Sequence, residues 1–190
     1  MRHFIICLST VFGLGCGENI DPHADWSPWS HSKAHLVVDC EKNLVVLDEL
    51  KKAASVWNNI PDPQVTVTAG CAGGPLKPWH VVVHVSEIED DERDIYARTM
   101  RNTNQLAIIQ FNSLTNFTYL GDSGGSDEIG ISFVYVAAHE IGHIMGIFHV
   151  EEQGATMRSF YQHIEGYGED GIGLSEHDIK AYRAIFGQTY

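Results

Sequence analysis

The sequence predicts a single α+β domain, and three observations carry that reading. Its 190 residues, 44% of them apolar, are enough for one substantial core but not for two large domains. Apolar side chains recur at helical spacing in Leu44, Leu47, Leu50, Ala54 and Trp57, whereas valines alternate at Val65 and Val67 and cluster at Val81-Val82-Val83 as strands do. A third segment, Val136 to Met145, is apolar except for His139, Glu140 and His143. Ionisable groups at fixed spacing in a helix otherwise fit for burial need a chemical reason. The formal net charge of −13 argues against a nucleic-acid partner and for an acidic, soluble surface, without selecting a substrate.

Residues 1–15 read as an export signal, with Arg2 followed by an apolar run from Phe4 to Leu14 that is too brief to span a bilayer. Leu14-Gly15-Cys16 resembles the end of a bacterial lipobox, with Gly13 where leucine is usual. Two outcomes stay open. Cys16 carries a lipid, the only membrane attachment expected, and Gly17 then favours an outer-membrane or cell-surface lipoprotein; or cleavage nearby releases a secreted protein. Once Cys7 leaves with the signal and Cys16 is assigned to lipid, Cys40 and Cys71 remain as an even pair, expected as a disulfide in an oxidising compartment, with two buried free thiols as the alternative.

Residues 16–33 are polar and rich in Asp, Pro, Ser and Trp, and read as a tether or irregular lead-in to a domain spanning 34–190. A short strand is expected from Ala34 to Asp39 and an amphipathic helix from Asn43 to Asn59, closed by Asn58, Asn59 and Pro61. Two further strands follow, around Val65-Val67 and Val81-Val83, separated by a turn at Gly73-Gly74-Pro75. His80 and His84 share one face of the second and could hold another metal, but read most simply as a solvent-facing or satisfied pair. The acidic run Glu87–Asp94 and the Gly/Asp loop Gly121–Glu128 read as solvated connections, with Ca2+ binding as a secondary reading. Gln105 to Phe111 is the next strand.

In the segment from Val136 to His149, two histidines four residues apart project from one helix face and can reach one ion about 2.0 to 2.1 Å away. Gly146 supplies the left-handed geometry that ends a helix and lets His149 return as a third ligand, leaving a fourth position for water. The expected ion is one catalytic Zn2+ held by His139, His143 and His149, with Glu140 as the base that activates the zinc-bound water. The extended signature H-E-x-x-H-x-x-G-x-x-H resembles the metzincin metallopeptidases, and Met157, eight residues past His149, supplies the methionine turn as an apolar floor below the metal.

Within that group the chain most resembles the matrixins. Val136-Ala137-Ala138-His139-Glu140 matches V-A-A-H-E, and Val56-Trp57-Asn58 resembles the end of the family's first helix. Leu106-Ala107 sits where matrixins carry L-A-H-A on their edge strand, and Met157 and Tyr161 match the ends of the M-Y-P-x-Y wall. Leu174-Ser175-Glu176-His177-Asp178-Ile179 is similar to the closing helix, which begins L-S-Q-D-D-I. The resemblance implies a metzincin zincin fold: a twisted, mostly parallel sheet with an antiparallel edge strand and about three helices. Its zinc cleft lies between a larger N-terminal and a smaller C-terminal subdomain.

The same resemblance implies a zinc-dependent endopeptidase acting on protein or peptide substrates, expected as a monomer. Asp178 would bond the backbone of the methionine turn, Leu106, Ala107 and Ile108 would offer the sheet edge to substrate, and Phe160 and Tyr161 would line the pocket. Ile108 replaces the histidine that serves the family's second zinc, and Ser159 stands where other metzincins place a zinc-binding tyrosine. The alternative from a different class is a catalytically silent, surface-anchored protein-binding module on the same scaffold.

Overall fold

The computed structural model describes residues 29–88, 95–101, 106–119, 130–150, 152–158 and 173–187. The export segment, Cys16, most of the lead-in, most of the acidic run, the Gly/Asp loop, Phe160 and Tyr161 lie outside the described residues.

Five strands, β1 (Lys33–Val38), β2 (Thr66–Cys71), β3 (His80–Ser86), β4 (Ala97–Arg101) and β5 (Ala107–Asn112), form one sheet in the order β2-β1-β3-β5-β4. All pairings are parallel except that of β4 with β5. Parallel neighbours need a crossover, and α2 (Val45–Asn58) provides one between β1 and β2. A two-residue parallel pair, β6 (Phe117–Thr118) with β7 (Ile131–Ser132), leads into α3 (Phe133–Met145), and α4 (Glu176–Phe186) closes the chain. With the single turn α1 (Cys40–Asn43), the described residues contain four helices.

The alternation along each strand sends Leu36, Val38, Val67, Val81, Val83, Ile109 and Phe111 into the core, where Leu50, Ala53 and Trp57 of α2 and Ala137, Ile141 and Ile144 of α3 meet them. Each large side chain so buried contributes about 1.5–3 kcal/mol. Two polar ties set the helices. The Trp57 indole donates to the Ala138 carbonyl at 2.8 Å, joining α2 to α3. The Tyr182 hydroxyl accepts from the backbone N–H groups of Gln64 and Val65 at 2.7 and 3.1 Å, joining α4 to the start of β2. Cys40 and Cys71 are joined as a disulfide that links the end of β1 to the end of β2.

Three boundaries differ from expectation. The helix expected from Asn43 starts at Val45, and a separate turn, α1, precedes it, capped by the Asp39 carboxylate, which accepts from Glu41 N–H at 3.2 Å. Leu44, read as core-facing, is 64% exposed. The lead-in also ends earlier than residue 33. Trp29 is buried, its indole donates to the Lys33 carbonyl at 2.9 Å and its backbone N–H lies 3.5 Å from the Met145 carbonyl, so packing starts before residue 34.

The third difference concerns the sheet edge. Leu106, Ala107 and Ile108 do not offer one: β5 is paired on both sides, Ile108 lying between Val82 of β3 and Met100 of β4, and Leu106 only leads into the strand. The antiparallel edge is β4, which sequence reasoning missed because Ala-Arg-Thr-Met-Arg shows no clean apolar alternation. Its Arg98 donates to the Gln110 side chain at 2.9 Å on the outer face of the sheet. On β3, His80 stands beside His35 of β1, with ring centroids 5.5 Å apart, while His84 is exposed.

Candidate metal centre

Helix α3 is placed by its ends. The Ser132 hydroxyl accepts from Tyr135 N–H at its start, and Gly146 terminates it with φ of 91°, where an L side chain would be strained. That left-handed residue turns the chain so that Ile147, Phe148 and His149 run back across the end of the helix. Val150 N–H then donates to the Met157 carbonyl at 2.9 Å, bracing the returning segment against the methionine turn.

The result brings His139, His143 and His149 together. Their Nε2 atoms are 3.0 Å (His139–His143) and 3.2 Å (each to His149) apart. The Nδ1–H groups of His139 and His143 donate to the carbonyls of Thr156 and Ile147 at 2.7 and 2.9 Å. A carbonyl can only accept, so both rings hold their proton on Nδ1 and turn an Nε2 lone pair inward. Two lone pairs facing each other repel unless a cation lies between them. A tetrahedral ion with bonds of about 2.0 to 2.1 Å holds its ligands about 3.3 Å apart, so the triad fits Zn2+.

Burial keeps the His139 and His143 imidazoles neutral, as ligands must be. It is the largest cause lowering His139 to about 4, with His149 also lowering it and the Thr156 bond and Asp178 opposing. Burial likewise holds His143 well below its ordinary value, helped by His139 and His149. Among the described residues, this trio is the one cluster of three or more His, Cys, Asp or Glu placed to hold an ion.

Glu140, between the two helical ligands, is 1% exposed. Its Oε2 accepts from the Thr99 hydroxyl of β4 at 2.6 Å. Nothing in the sequence marked Thr99, a threonine amid basic residues with no motif around it. Below the triad, Met157 is buried and packs on Gly142, where an added Cβ would collide with its Sδ. The Asp178 carboxylate, at the start of α4, accepts from Thr156 N–H and Met157 N–H at 2.9 Å each and from Ser175 N–H and Oγ at 2.8 Å. The methionine turn is thereby held by an element that is distant in sequence.

Three converging imidazoles, two from an H-E-x-x-H helix and one from beyond a glycine turn, over a mostly parallel sheet, define a metzincin-type metallopeptidase domain. The matrixin family model matches residues 78–187, more than half of the chain, and the chain belongs to the matrixins. It is 34% identical to stromelysin-1 of Equus caballus over 61 residues, 32% of this chain and 12% of that protein. To matrilysin of Homo sapiens it is 36% identical over 62 residues, 32% of this chain and 22% of that one. To the 72 kDa type IV collagenase of Gallus gallus it is 39% identical over 63 residues, 33% of this chain and 9% of the relative. The chain therefore spans less than a quarter of the length of these relatives.

Proposed function

We propose that this protein is a zinc-dependent endopeptidase. The observation that carries the proposal is the inward turn of three Nε2 atoms beside a buried carboxylate. His139, His143 and His149 would hold the ion. When bound, Zn2+ acts as a Lewis acid that polarises the scissile carbonyl and brings the pKa of water toward about 7. Glu140 then serves as general base, taking a proton from the attacking water, and as general acid, passing it to the departing amine. Its place between two ligands on the helix keeps it beside the metal rather than on it.

The substrate is an extended peptide segment that adds to the outer edge of β4, which among the described residues pairs only with β5. Backbone pairing accepts any sequence, and side-chain pockets select. Phe160 and Tyr161 are assigned to the wall of the main pocket. The working compartment is extracytoplasmic, in keeping with the Cys40–Cys71 disulfide, with residues 1–15 as the export signal and Cys16 as the candidate lipid site. No helix of the described residues is long and apolar enough to cross a membrane. The chain acts as a monomer with no nucleic-acid partner, and any Ca2+ is accessory.

Residues 17–190, incubated with a peptide library and analysed by mass spectrometry, should produce internal cleavages that a chelator abolishes and added Zn2+ restores. Absence of cleavage from correctly folded, zinc-loaded protein would overturn the proposal.

A further inference from the structure

Edge strand β4 alternates between two surroundings. Ala97 faces the core and is fully buried, Arg98 points to the outer face and bonds Gln110, and Thr99 returns to the inner face against α3. An inward position next to a packed helix ordinarily takes an apolar side chain, because a buried hydroxyl must find a partner. Here the hydroxyl finds two acceptors on one residue: Glu140 Oε2 at 2.6 Å and the Glu140 backbone carbonyl at 3.2 Å. Carboxylate and carbonyl can only accept, and a hydroxyl has one proton to give. The shorter contact lies in the range of charge-assisted O–H···O bonds, so the proton goes to the carboxylate.

We propose that Thr99 is a positioning residue for Glu140, fixing the carboxylate from the strand along which substrate lies; this rests on the reading of Glu140 as the base. A glutamate has several side-chain torsions and loses up to about 2 kcal/mol of rotamer freedom when held in one arrangement. Threonine suits the task because its branched Cβ leaves χ1 few choices, so the hydroxyl is itself stiffly placed. The same residue thereby sets two things. Its backbone belongs to the edge that would register the peptide, and its hydroxyl sets where the base stands. A shift of β4 relative to α3 would move both together.

The test compares wild type, Thr99→Val and Thr99→Ser as zinc-loaded full chains, with kcat and KM resolved and zinc content measured. Thr99→Val keeps shape and removes the hydroxyl; it should lower kcat about 10- to 100-fold and leave KM and zinc content near wild type. Thr99→Ser should recover most of kcat. Wild-type kcat in Thr99→Val, or equal losses in kcat, KM and zinc in both variants, would overturn the inference. A second reading needs no turnover. In metal-free protein, Thr99→Val should lower Tm when Glu140 is present and not in a Glu140→Ala background, and additive Tm losses would count against the bond. If wild type cleaves nothing, the peptidase reading fails while this cycle still reports on the pair.

Discussion

Glu140 is a carboxylate shut away from water and gripped by a hydroxyl, an arrangement with no stabilising purpose that an apolar side chain would not serve better. Its cost is intelligible if the group moves protons. Glu140→Gln, which preserves shape and leaves the three imidazoles alone, should retain zinc by elemental analysis while turnover falls at least about 100-fold; near-normal kcat in a clean preparation would remove Glu140 from the mechanism. The ligands carry a prediction of their own. In metal-free protein His139 is lowered to about 4 and His143 is also held low, so the unfolded chain takes up protons near pH 6.5 that the folded chain refuses. Stability is then full above the unfolded value and is lost as pH falls toward about 4. Melting temperatures in chelator should drop across that window, and a flat profile would contradict the burial of neutral imidazoles. The meeting of His139, His143 and His149 was the part most legible in the sequence, because the spacing of side chains on a helix is fixed by the helix itself. Thr99 was not legible, since its meaning comes from which residue lies across from it in space.

Helix α3 packs closely because of a glycine that the ligand signature leaves unspecified. At Gly142 a Cβ would strike Met157 Sδ and lie 2.9 Å from Trp57 Cζ2, so the helix, the methionine turn and α2 meet with no room to spare. Gly142→Ala trades a gain in helix propensity for overpacking, and a net loss of about 1–3 kcal/mol is expected, read as a lower urea midpoint together with weaker zinc retention. An unchanged midpoint would mean that Met157 gives way freely and is not a fixed floor. At this scale the sequence was legible where a periodic pattern faced one environment. The valine strands and the core-facing run from Leu47 to Trp57 are such cases. It misled where strands of unlike composition are neighbours: Leu106-Ala107 looked like an edge because its residues match the start of the L-A-H-A pattern. The true edge, β4, carries arginines that hide its role. Apolar content marks a strand flanked on both sides, as β5 is.

Across the whole molecule, ties between distant parts of the chain hold the elements together. Asp178 of α4 holds the methionine turn, Tyr182 holds β2, and the disulfide closes β1 to β2 over a separation of 31 residues. Loop-closure entropy gives that cross-link about 3–4 kcal/mol, so reduction, or Cys40→Ser with Cys71→Ser, should lower the unfolding free energy from urea titration by about that amount; an unchanged unfolding free energy would show that the bond contributes no stability. Composition pointed to one substantial core and an acidic chain, but not to these ties, each joining residues that no local pattern connects. The central claim is that one ion in the three-histidine site makes this fold a peptidase. Its most direct test is to strip the protein of metal, return Zn2+ stepwise and follow cleavage of one internally quenched peptide. Cleavage should be absent at the start and rise with occupancy of the triad until that site is filled. Full activity in the metal-free protein, or none at any zinc loading, would contradict the account.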